Sequence, residues 1–166
     1  MFVEKTSEMM TLNIRKAEKE DLEEIVKMWH TLASSHQEMM RGYELAEDCR
    51  EKWRKFIENG FDREGMCTFV AEKENELVGF LNVVIRERMS IFEYTHIGMI
   101  LDVFVKEEKR GEGVGTQLTK RAERWIKEKG VNIAVLTVSP ENERAVKFWE
   151  EAGYETYLLK KRKKLF

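Results

Sequence analysis

The sequence has little of the material that marks a secreted, a metal-binding or a membrane-spanning protein. Its 166 residues include two cysteines, three histidines and one proline. Two cysteines provide no disulfide framework, which suits a reducing compartment, so we expect a cytoplasmic protein. The histidines are dispersed and no Cys/His ligand spacing occurs, so we expect no metal site. No apolar run approaches the ~18 residues that cross a bilayer, so we expect no membrane partner.

An excess of charge of one sign is also missing. The chain has 29 Lys and Arg against 31 Asp and Glu, for a net charge of −2. Such a balance creates no general attraction for nucleic acid, and we expect no nucleic-acid partner. With 42% hydrophobic and 36% charged residues, the composition is that of a globular protein. No linker, repeat or low-complexity segment interrupts it, which predicts a single domain over residues 1–166.

Hydrophobic periodicity predicts strands and helices in alternation along the chain. The predicted order is a strand, two helices, three strands, a helix, a strand, a helix and a last strand. Among these strands are 94–105, with Gly98 as a candidate bulge, the apolar segment 131–138, and the last segment, 154–163. This order predicts an α/β (α+β) fold with one mixed sheet and helices on both faces.

The stretch from Ile100 to Lys120 organises the chain. It contains an apolar strand, a charged turn, and glycines at 111, 113 and 115 that lead directly into a helix. Such a turn and the positive end of the following helix form a typical phosphate site. The spacing differs from G-x-G-x-x-G because the third glycine comes one residue too early, and the Gly-Lys-Ser/Thr of a P-loop is absent. A turn that only joins strand to helix is the alternative.

Two segments resemble the motifs of the GNAT N-acetyltransferase superfamily. Residues Arg110–Gly115 resemble its acyl-CoA cradle, Gln/Arg-x-x-Gly-x-Gly/Ala. Residues Asn142–Tyr154 resemble its downstream motif, in which Asn, Ala, a Phe/Leu-Tyr pair and Gly-Phe/Tyr recur at this spacing. Residues 14–22 and the hairpin 69–80 also resemble the family, so the resemblance covers nearly the whole chain.

The resemblance implies a fold and a pair of substrates. The implied fold is GNAT-like, with a mixed central sheet of about six or seven strands, about four flanking helices, and a splay between the fourth and fifth strands. The implied acyl donor is acetyl-CoA, with no metal, and the implied partner is an amine-bearing acceptor. Many members of the family dimerise, so the resemblance also implies a homodimer.

The resemblance further implies cofactor-binding roles for three parts of the chain. The long strand would hold the pantetheine arm through its main chain, and the glycine turn would hold the pyrophosphate. The downstream helix would touch the cofactor arm, although capping of that helix is the alternative for its first polar residue. The implied residues are Val103, Val105, Lys109, Arg110, Gly111, Gly113, Val114, Gly115, Thr116, Asn142 and Trp149.

The base that would deprotonate the acceptor is not evident. Several members of the family carry a Glu or His at positions matching Met99 and Leu101, which are apolar here. Asp102 is acidic but has the opposite strand parity, so a β-bulge would be needed to turn it inward. His96 is the second candidate catalytic residue, and proton loss through a chain of water molecules is a third route.

Trp149 stands where many members of the family have the tyrosine that protonates the departing thiolate. An indole N–H donates a hydrogen bond but is no practical acid. A CoA thiol, with a pKa of about 8.5, leaves as the thiolate near neutral pH with little penalty. We therefore expect Trp149 to weaken acetyl transfer without abolishing it.

The acceptor would meet the region between the first two helices, residues 34–47, if the resemblance holds. His36 and Tyr43 in this region, and Tyr94 before the long strand, are the candidate substrate residues, and ordinary surface positions are the alternative for each. The predicted function is transfer of acetyl from acetyl-CoA to a primary amine of a small molecule or peptide, by direct attack in a ternary complex. A non-catalytic acyl-CoA-binding regulatory module is the alternative, and the acyl chain length stays open.

Overall fold

The computed structural model describes residues 11–165. Its helices are α1 (Leu22–Met39), α2 (Cys49–Phe61), α3 (Val114–Glu128) and α4 (Glu143–Glu151), with 3₁₀ turns at Lys19–Asp21 and Glu107–Lys109. Its strands are β1 (Asn13–Lys16), β2 (Met66–Lys73), β3 (Glu76–Glu87), β4 (His96–Val105) and β5 (Ala134–Val135). None of the helices in this part of the chain has the length and apolar character needed to cross a membrane.

The strands form one mixed sheet in the order β1-β2-β3-β4-β5. Neighbours are antiparallel up to β4, whereas β5 runs parallel to β4. Glu74 and Asn75 join β2 to β3 with φ of 57° and 62°, as in the two-residue turns that match the twist of a hairpin. The predicted α/β (α+β) fold with one mixed central sheet is confirmed.

Helices cover both faces of this sheet. On one face, Leu118 of α3 packs in a cluster with Phe69 and Leu81 of the sheet, and α4 joins the same cluster. On the other face, Ile25 of α1 packs in a cluster with Phe80, and α2 closes this side. Each helix therefore buries its apolar stripe on the sheet, which explains why the 3.6-residue periodicity predicted the helices.

β4 and β5 separate after a short paired stretch. Gly98 pairs with Ala134 and Met99 with Val135, and the parallel pairing ends there. Within the described residues, the later part of β4, 100–105, has no strand partner on this side. This agrees with the expected splay between the fourth and fifth strands.

A β-bulge interrupts the pairing of β3 with β4. Asn82 lies opposite Asp102, but the next residue of β3, Val83, lies opposite Ile100, so Leu101 is the extra residue. A bulge of this kind re-aims the side chains that follow it. Asp102 therefore shares a face with Leu101, and this is the face that α1 and α2 cover.

The prediction of a bulge at Gly98 is wrong. Gly98 pairs regularly with Ile85 of β3. A Cβ at this position would lie 2.5 Å from side-chain atoms of Ile126. Close packing of α3 on the sheet, rather than a change of register, is therefore the reason for this glycine.

The sheet has fewer strands than the predicted six or seven, with five strands in residues 11–165. Segment 131–138 contributes only Ala134–Val135, and most of it is half-buried or exposed rather than covered on both faces. Segment 154–163 forms no strand, and Tyr157, Leu158 and Leu159 are exposed. Three adjacent apolar residues followed by five basic ones provide no alternating face that a sheet could bury.

Candidate active site

The glycine turn between β4 and α3 contains two residues whose backbone conformation requires glycine. Gly111 has a φ of 80° and Gly113, which precedes the first residue of α3, has a φ of 81°. A Cβ built on either would meet nothing within 4 Å. The turn therefore presents backbone to open space at the positive end of α3, which is the arrangement that binds phosphate oxygens. Glu112, between them, is held by Lys73 of the β2–β3 hairpin at 2.7 Å.

The third glycine of the motif differs from the first two. A Cβ at Gly115 would lie 3.4 Å from the ring of Phe148 in α4 and 3.8 Å from Cγ2 of Val105. Both distances are ordinary van der Waals contacts, and the backbone here has no positive φ. Neither packing nor backbone conformation therefore demands glycine at this position.

Positive charge gathers beside this turn. Burial, followed by repulsion from the neighbouring Arg144, lowers the pKa of Arg110, so the two guanidinium groups lie near one another. Thr116 is exposed on the first turn of α3, and Lys109 is half-buried. Val114 is buried in the core, so a ligand could meet it only through its main chain. Glu107 and Glu108 offset part of this repulsion, and the two neighbouring arginines still favour an anionic ligand such as a pyrophosphate.

The main chain at the end of β4 is partly engaged already. The Nε atom of Arg110 donates a hydrogen bond of 3.0 Å to the carbonyl oxygen of Val105. Val103 and Val105 are half-buried, and their side chains pack on the α3 side. A pantetheine arm on this strand would therefore compete with Arg110 for the carbonyl of Val105 but not for the main chain of Val103.

Asn142 and Trp149 have structural contacts in α4. The Asn142 side-chain oxygen accepts a hydrogen bond from the backbone N–H of Ala145 at 3.1 Å, which is the capping role named as its alternative. Trp149 is buried, and its ring packs edge-on against Phe148 at 4.9 Å and Tyr154 at 5.1 Å between centroids. The indole of Trp149 is therefore part of the core beside the glycine turn.

Asp102 lies on the opposite face of β4, in a pocket of hydrogen-bond donors. Asn82 Nδ2 donates to Asp102 Oδ2 at 3.2 Å, and the indole N–H groups of Trp29 and Trp53 lie near this carboxylate, where they favour its ionised form. The two indoles are stacked with their centroids 4.7 Å apart. Loss of water around the carboxylate outweighs these hydrogen bonds and raises the pKa of Asp102 above its ordinary value.

None of the ion pairs within residues 11–165 includes Asp102. A desolvated carboxylate without a cationic partner is costly, and carboxylates of this kind are frequent in binding and catalytic sites. The β-bulge that Asp102 needs in order to point inward is present at Leu101.

Two of the candidate acceptor residues approach Asp102 from the helical side. Burial and the negative charge of Asp102 raise the pKa of Tyr43, so this phenol, which is 44% exposed, lies within electrostatic range of the carboxylate. His36 packs edge-on against Tyr43, with 5.7 Å between ring centroids, and burial lowers its pKa. The structure thus brings His36, Tyr43 and Asp102 to one region.

His96 and Tyr94 are not part of that region. His96 is the exposed first residue of β4, and its Nδ1 lies 3.1 Å from the hydroxyl of Thr95. It is six positions before Asp102, which is roughly 20 Å along a strand. Tyr94 is exposed in the connection that precedes the strand.

A cavity of about 510 Å³ lies between α1 and the segment that follows β4. Thr31 and Ser35 of α1 line one side, Phe104 of β4 lies within it, and Lys106 and Arg110 line the other side. Asp102 and the glycines of the turn do not line this cavity, although Phe104 projects from the same face of β4 as Asp102 and Arg110 directly precedes Gly111.

Several residues of the site escape prediction from the sequence. Thr68, Asn82 and Trp53 surround or support Asp102, and Arg144 adds charge at the glycine turn. Thr68 and Asn82 do carry a signal, because each is a polar residue inside an otherwise apolar strand and must be hydrogen-bonded there. Trp53 and Arg144 carry none, since their roles depend on how the helices pack.

Comparison with known proteins agrees with this geometry. The model of the acetyltransferase (GNAT) family matches residues 28–154. An uncharacterised N-acetyltransferase of Archaeoglobus fulgidus is 31% identical over 144 residues, which cover 83% of this chain and 89% of the relative. An uncharacterised N-acetyltransferase of Methanocaldococcus jannaschii is 28% identical over 87% of this chain, which spans 61% of that longer protein.

Solved structures have the same architecture. A putative acetyltransferase of Pyrococcus furiosus is 30% identical, with a TM-score of 0.74 over 93% of this chain and 100% of that one. A predicted acetyltransferase of Clostridium acetobutylicum, solved with acetyl-CoA, is 17% identical, with a TM-score of 0.75 over 92% of this chain and 96% of that one. At that identity the second likeness concerns the fold alone.

Proposed function

The chain belongs to the GNAT acetyltransferase family, and from that premise we propose that it transfers the acetyl group of acetyl-CoA to a primary amine. The acceptor is a small molecule or a peptide, and the amine attacks the thioester directly in a ternary complex. The observation that carries this proposal is Asp102, a desolvated carboxylate with no ion-pair partner among residues 11–165, on the strand that leads into the glycine turn.

The glycine turn supports the acetyl-CoA half of the proposal. Gly111 and Gly113 expose their backbone to open space, and Arg110 and Arg144 supply positive charge beside it. These residues fit a pyrophosphate, and Val103, which within residues 11–165 has a strand partner in β3 but none on the β5 side, fits the pantetheine arm. When bound, acetyl-CoA supplies the thioester carbonyl that an amine can attack. A backbone N–H near Val103 would stabilise the oxygen anion that forms.

Asp102 supports the amine half of the proposal. A lysine-like amine, with a pKa near 10.4, requires about 4.6 kcal/mol for deprotonation at pH 7, whereas an α-amine with a pKa near 7.8 requires only about 1 kcal/mol. Asp102 would bind the ammonium group, and its raised pKa makes it a stronger base than an exposed aspartate. Tyr43 and His36 would line the approach of the acceptor to this carboxylate.

Direct attack is preferred to an acyl-enzyme intermediate because Cys67 is in the wrong place. Its thiol packs in the core cluster under α3, and burial raises its pKa, which disfavours the nucleophilic thiolate. We also propose, from the cysteine content, that the protein works in a reducing cytoplasm. A homodimer is proposed from the family resemblance.

The proposal is tested with acetyl-CoA and a panel of amines, by measuring release of free CoA and mass of the acetylated product. The panel contains lysine-like amines and α-amines. We expect turnover on at least one amine. Asp102→Asn should lower kcat/KM for lysine-like amines by about 10²–10⁴-fold, with a smaller loss for α-amines, because their deprotonation requires less help. Affinity for acetyl-CoA should not change.

The matched control is Asp62→Asn, which removes an aspartate whose side chain is 81% exposed and remote from β4. It should leave both amine classes unaffected. Binding of acetyl-CoA without turnover on any amine would instead indicate a regulatory acyl-CoA-binding module. That result would agree with the tryptophan at position 149, where many members of the family have a tyrosine.

A further inference from the structure

A row of three polar side chains crosses the sheet at the level of the bulge. Thr68 of β2 lies directly opposite Asn82 of β3, which lies directly opposite Asp102 of β4. Thr68 Oγ1 donates to Asn82 Oδ1 at 2.6 Å, and Asn82 Nδ2 donates to Asp102 Oδ2 at 3.2 Å. The bulge at Leu101 is what aligns the row, because a regular register would set Leu101 opposite Asn82.

This row is expensive for the fold and is not needed to form it. Asn82 is fully buried and Thr68 is 7% exposed. Buried polar groups cost free energy unless they are hydrogen-bonded, and apolar residues of similar shape commonly replace them without loss of stability. The remaining residues of this face are mainly apolar, as in the cluster that contains Val70, Phe80 and Phe104. The row therefore points to a role at Asp102 rather than to folding.

The direction of the hydrogen bonds fixes how Asn82 meets the carboxylate. An ionised carboxylate only accepts hydrogen bonds, so Asn82 must present its amide NH₂ to Asp102. The amide oxygen then faces Thr68, whose hydroxyl must donate to it. Removal of the Thr68 hydroxyl would leave the amide oxygen buried without a donor and free the amide to turn its oxygen toward Asp102.

We propose that Thr68 and Asn82 are positioning residues that hold the Asp102 carboxylate for the acceptor amine, an inference that rests on the proposed function. Asn82 donates to Oδ2 of the carboxylate and the indoles of Trp29 and Trp53 lie near it, and the remaining acceptor positions of the carboxylate would bind an ammonium group. Among residues 11–165, the titratable group whose charge state is coupled to Asp102 is Tyr43 of the α1–α2 connection. The groups that α1, α2 and β3 present to it, two indoles and an amide, do not titrate.

The test compares Thr68→Val, which removes the hydroxyl and keeps the shape, with Thr68→Ser, which keeps the hydroxyl. One neutral hydrogen bond is worth about 1 kcal/mol, so Thr68→Val should lower kcat/KM roughly threefold to tenfold. It should also shift the acid limb of the pH profile upward by about 0.5–1 pH unit, because the carboxylate loses an oriented donor. Thr68→Ser should match the wild type in both. Superimposable profiles for Thr68→Val and the wild type would overturn the proposal.

A second measurement needs no acceptor. Carboxyl ¹³C NMR follows the titration of Asp102, with Asp102→Asn to assign the signal, in the wild type and both Thr68 variants. We expect the pKa of Asp102 to rise in Thr68→Val and to stay unchanged in Thr68→Ser. An unchanged pKa in Thr68→Val would show that Thr68 and Asn82 do not position the carboxylate. If the pKa rises but no amine is acetylated, the row does position Asp102, and it is the proposed function that fails. If Thr68→Val does not fold, Thr68→Ala gives the same comparison.

Discussion

The two ends of α3 offer a matched pair of substitutions that separates stability from ligand binding. Gly113 precedes the first residue of the helix with a φ of 81°, and Gly130 follows its end with a φ of 73°. At either position, an added Cβ would meet nothing within 4 Å. Gly113→Ala and Gly130→Ala therefore introduce similar backbone strain without a steric clash.

The expected loss of stability is similar for the two variants. A non-glycine residue in the left-handed region costs roughly 1–2 kcal/mol. Restriction of the unfolded chain by alanine offsets about 0.4–1 kcal/mol of that cost. The net loss is about 1 kcal/mol, which for a chain of this length lowers Tm by roughly 2–4 °C.

Only Gly113→Ala should weaken binding of acetyl-CoA. We assign the pyrophosphate to the turn that contains Gly113, where a methyl group would enter the space in front of the backbone N–H groups. Loss of one hydrogen bond to a charged group costs about 1.5–3 kcal/mol, which corresponds to roughly 10–150-fold weaker binding. Gly130 is at the opposite end of the helix, so its substitution should leave the affinity unchanged.

Thermal unfolding and calorimetric titration with acetyl-CoA measure the two effects on the same samples. Equal loss of affinity in both variants would show that strain in α3, rather than contact with the ligand, governs binding. Unchanged affinity in Gly113→Ala, with the expected drop in Tm, would show that the pyrophosphate does not meet this turn.

Two further outcomes are expected. Trp149→Tyr should retain or increase kcat, because a phenol can protonate the thiolate whereas an indole cannot; a fall of 100-fold or more with intact acetyl-CoA binding would contradict this. Asp102→Asn should gain stability relative to the wild type at pH 7, and this gain should shrink as the pH falls toward 4. The pKa of Asp102 is raised in the folded protein. Above the ordinary pKa of about 3.9, the unfolded chain therefore releases a proton that the folded protein retains. The free energy of unfolding of the wild type then falls as the pH rises, until the carboxyl group of the folded protein ionises as well. Urea unfolding at pH 7, 5 and 4 measures this difference, and a gain that does not depend on pH would refute the assignment to charge.

The sequence predicts the acetyl-CoA half of the site because that half depends on local backbone chemistry. A positive φ at Gly111 and Gly113 demands glycine, so the conformation is visible in the residue types themselves. Helix periodicity and the order of the elements follow from local patterns in the same way, and the family resemblance agrees with both.

The sequence offers Asp102, His36 and Tyr43 only as candidates, because the orientation of Asp102 depends on register and packing. The parity of β4 places Asp102 on the wrong face, and only a one-residue shift against β3 reverses this. Such a shift leaves no mark in the pattern of β4, where Gly98 is the more obvious bulge candidate. The strand expected at 154–163 does not form, for a related reason. A segment with strand propensity still needs an apolar face that the sheet can bury.

The two departures from the family pattern agree with one account of proton transfer. Deprotonation of a lysine-like amine costs about 4.6 kcal/mol at pH 7, whereas a thiolate with a pKa near 8.5 departs with far less penalty. In the proposed reaction a base is therefore more useful than an acid, and a chain with Trp149 in place of the tyrosine and with Asp102 on β4 would have the more useful group. Each unit by which burial raises the pKa of Asp102 reduces the mismatch with the amine by about 1.36 kcal/mol. The same burial destabilises the fold when Asp102 is ionised. A variant that exposes Asp102 to water should therefore gain stability and lose basicity at this carboxylate.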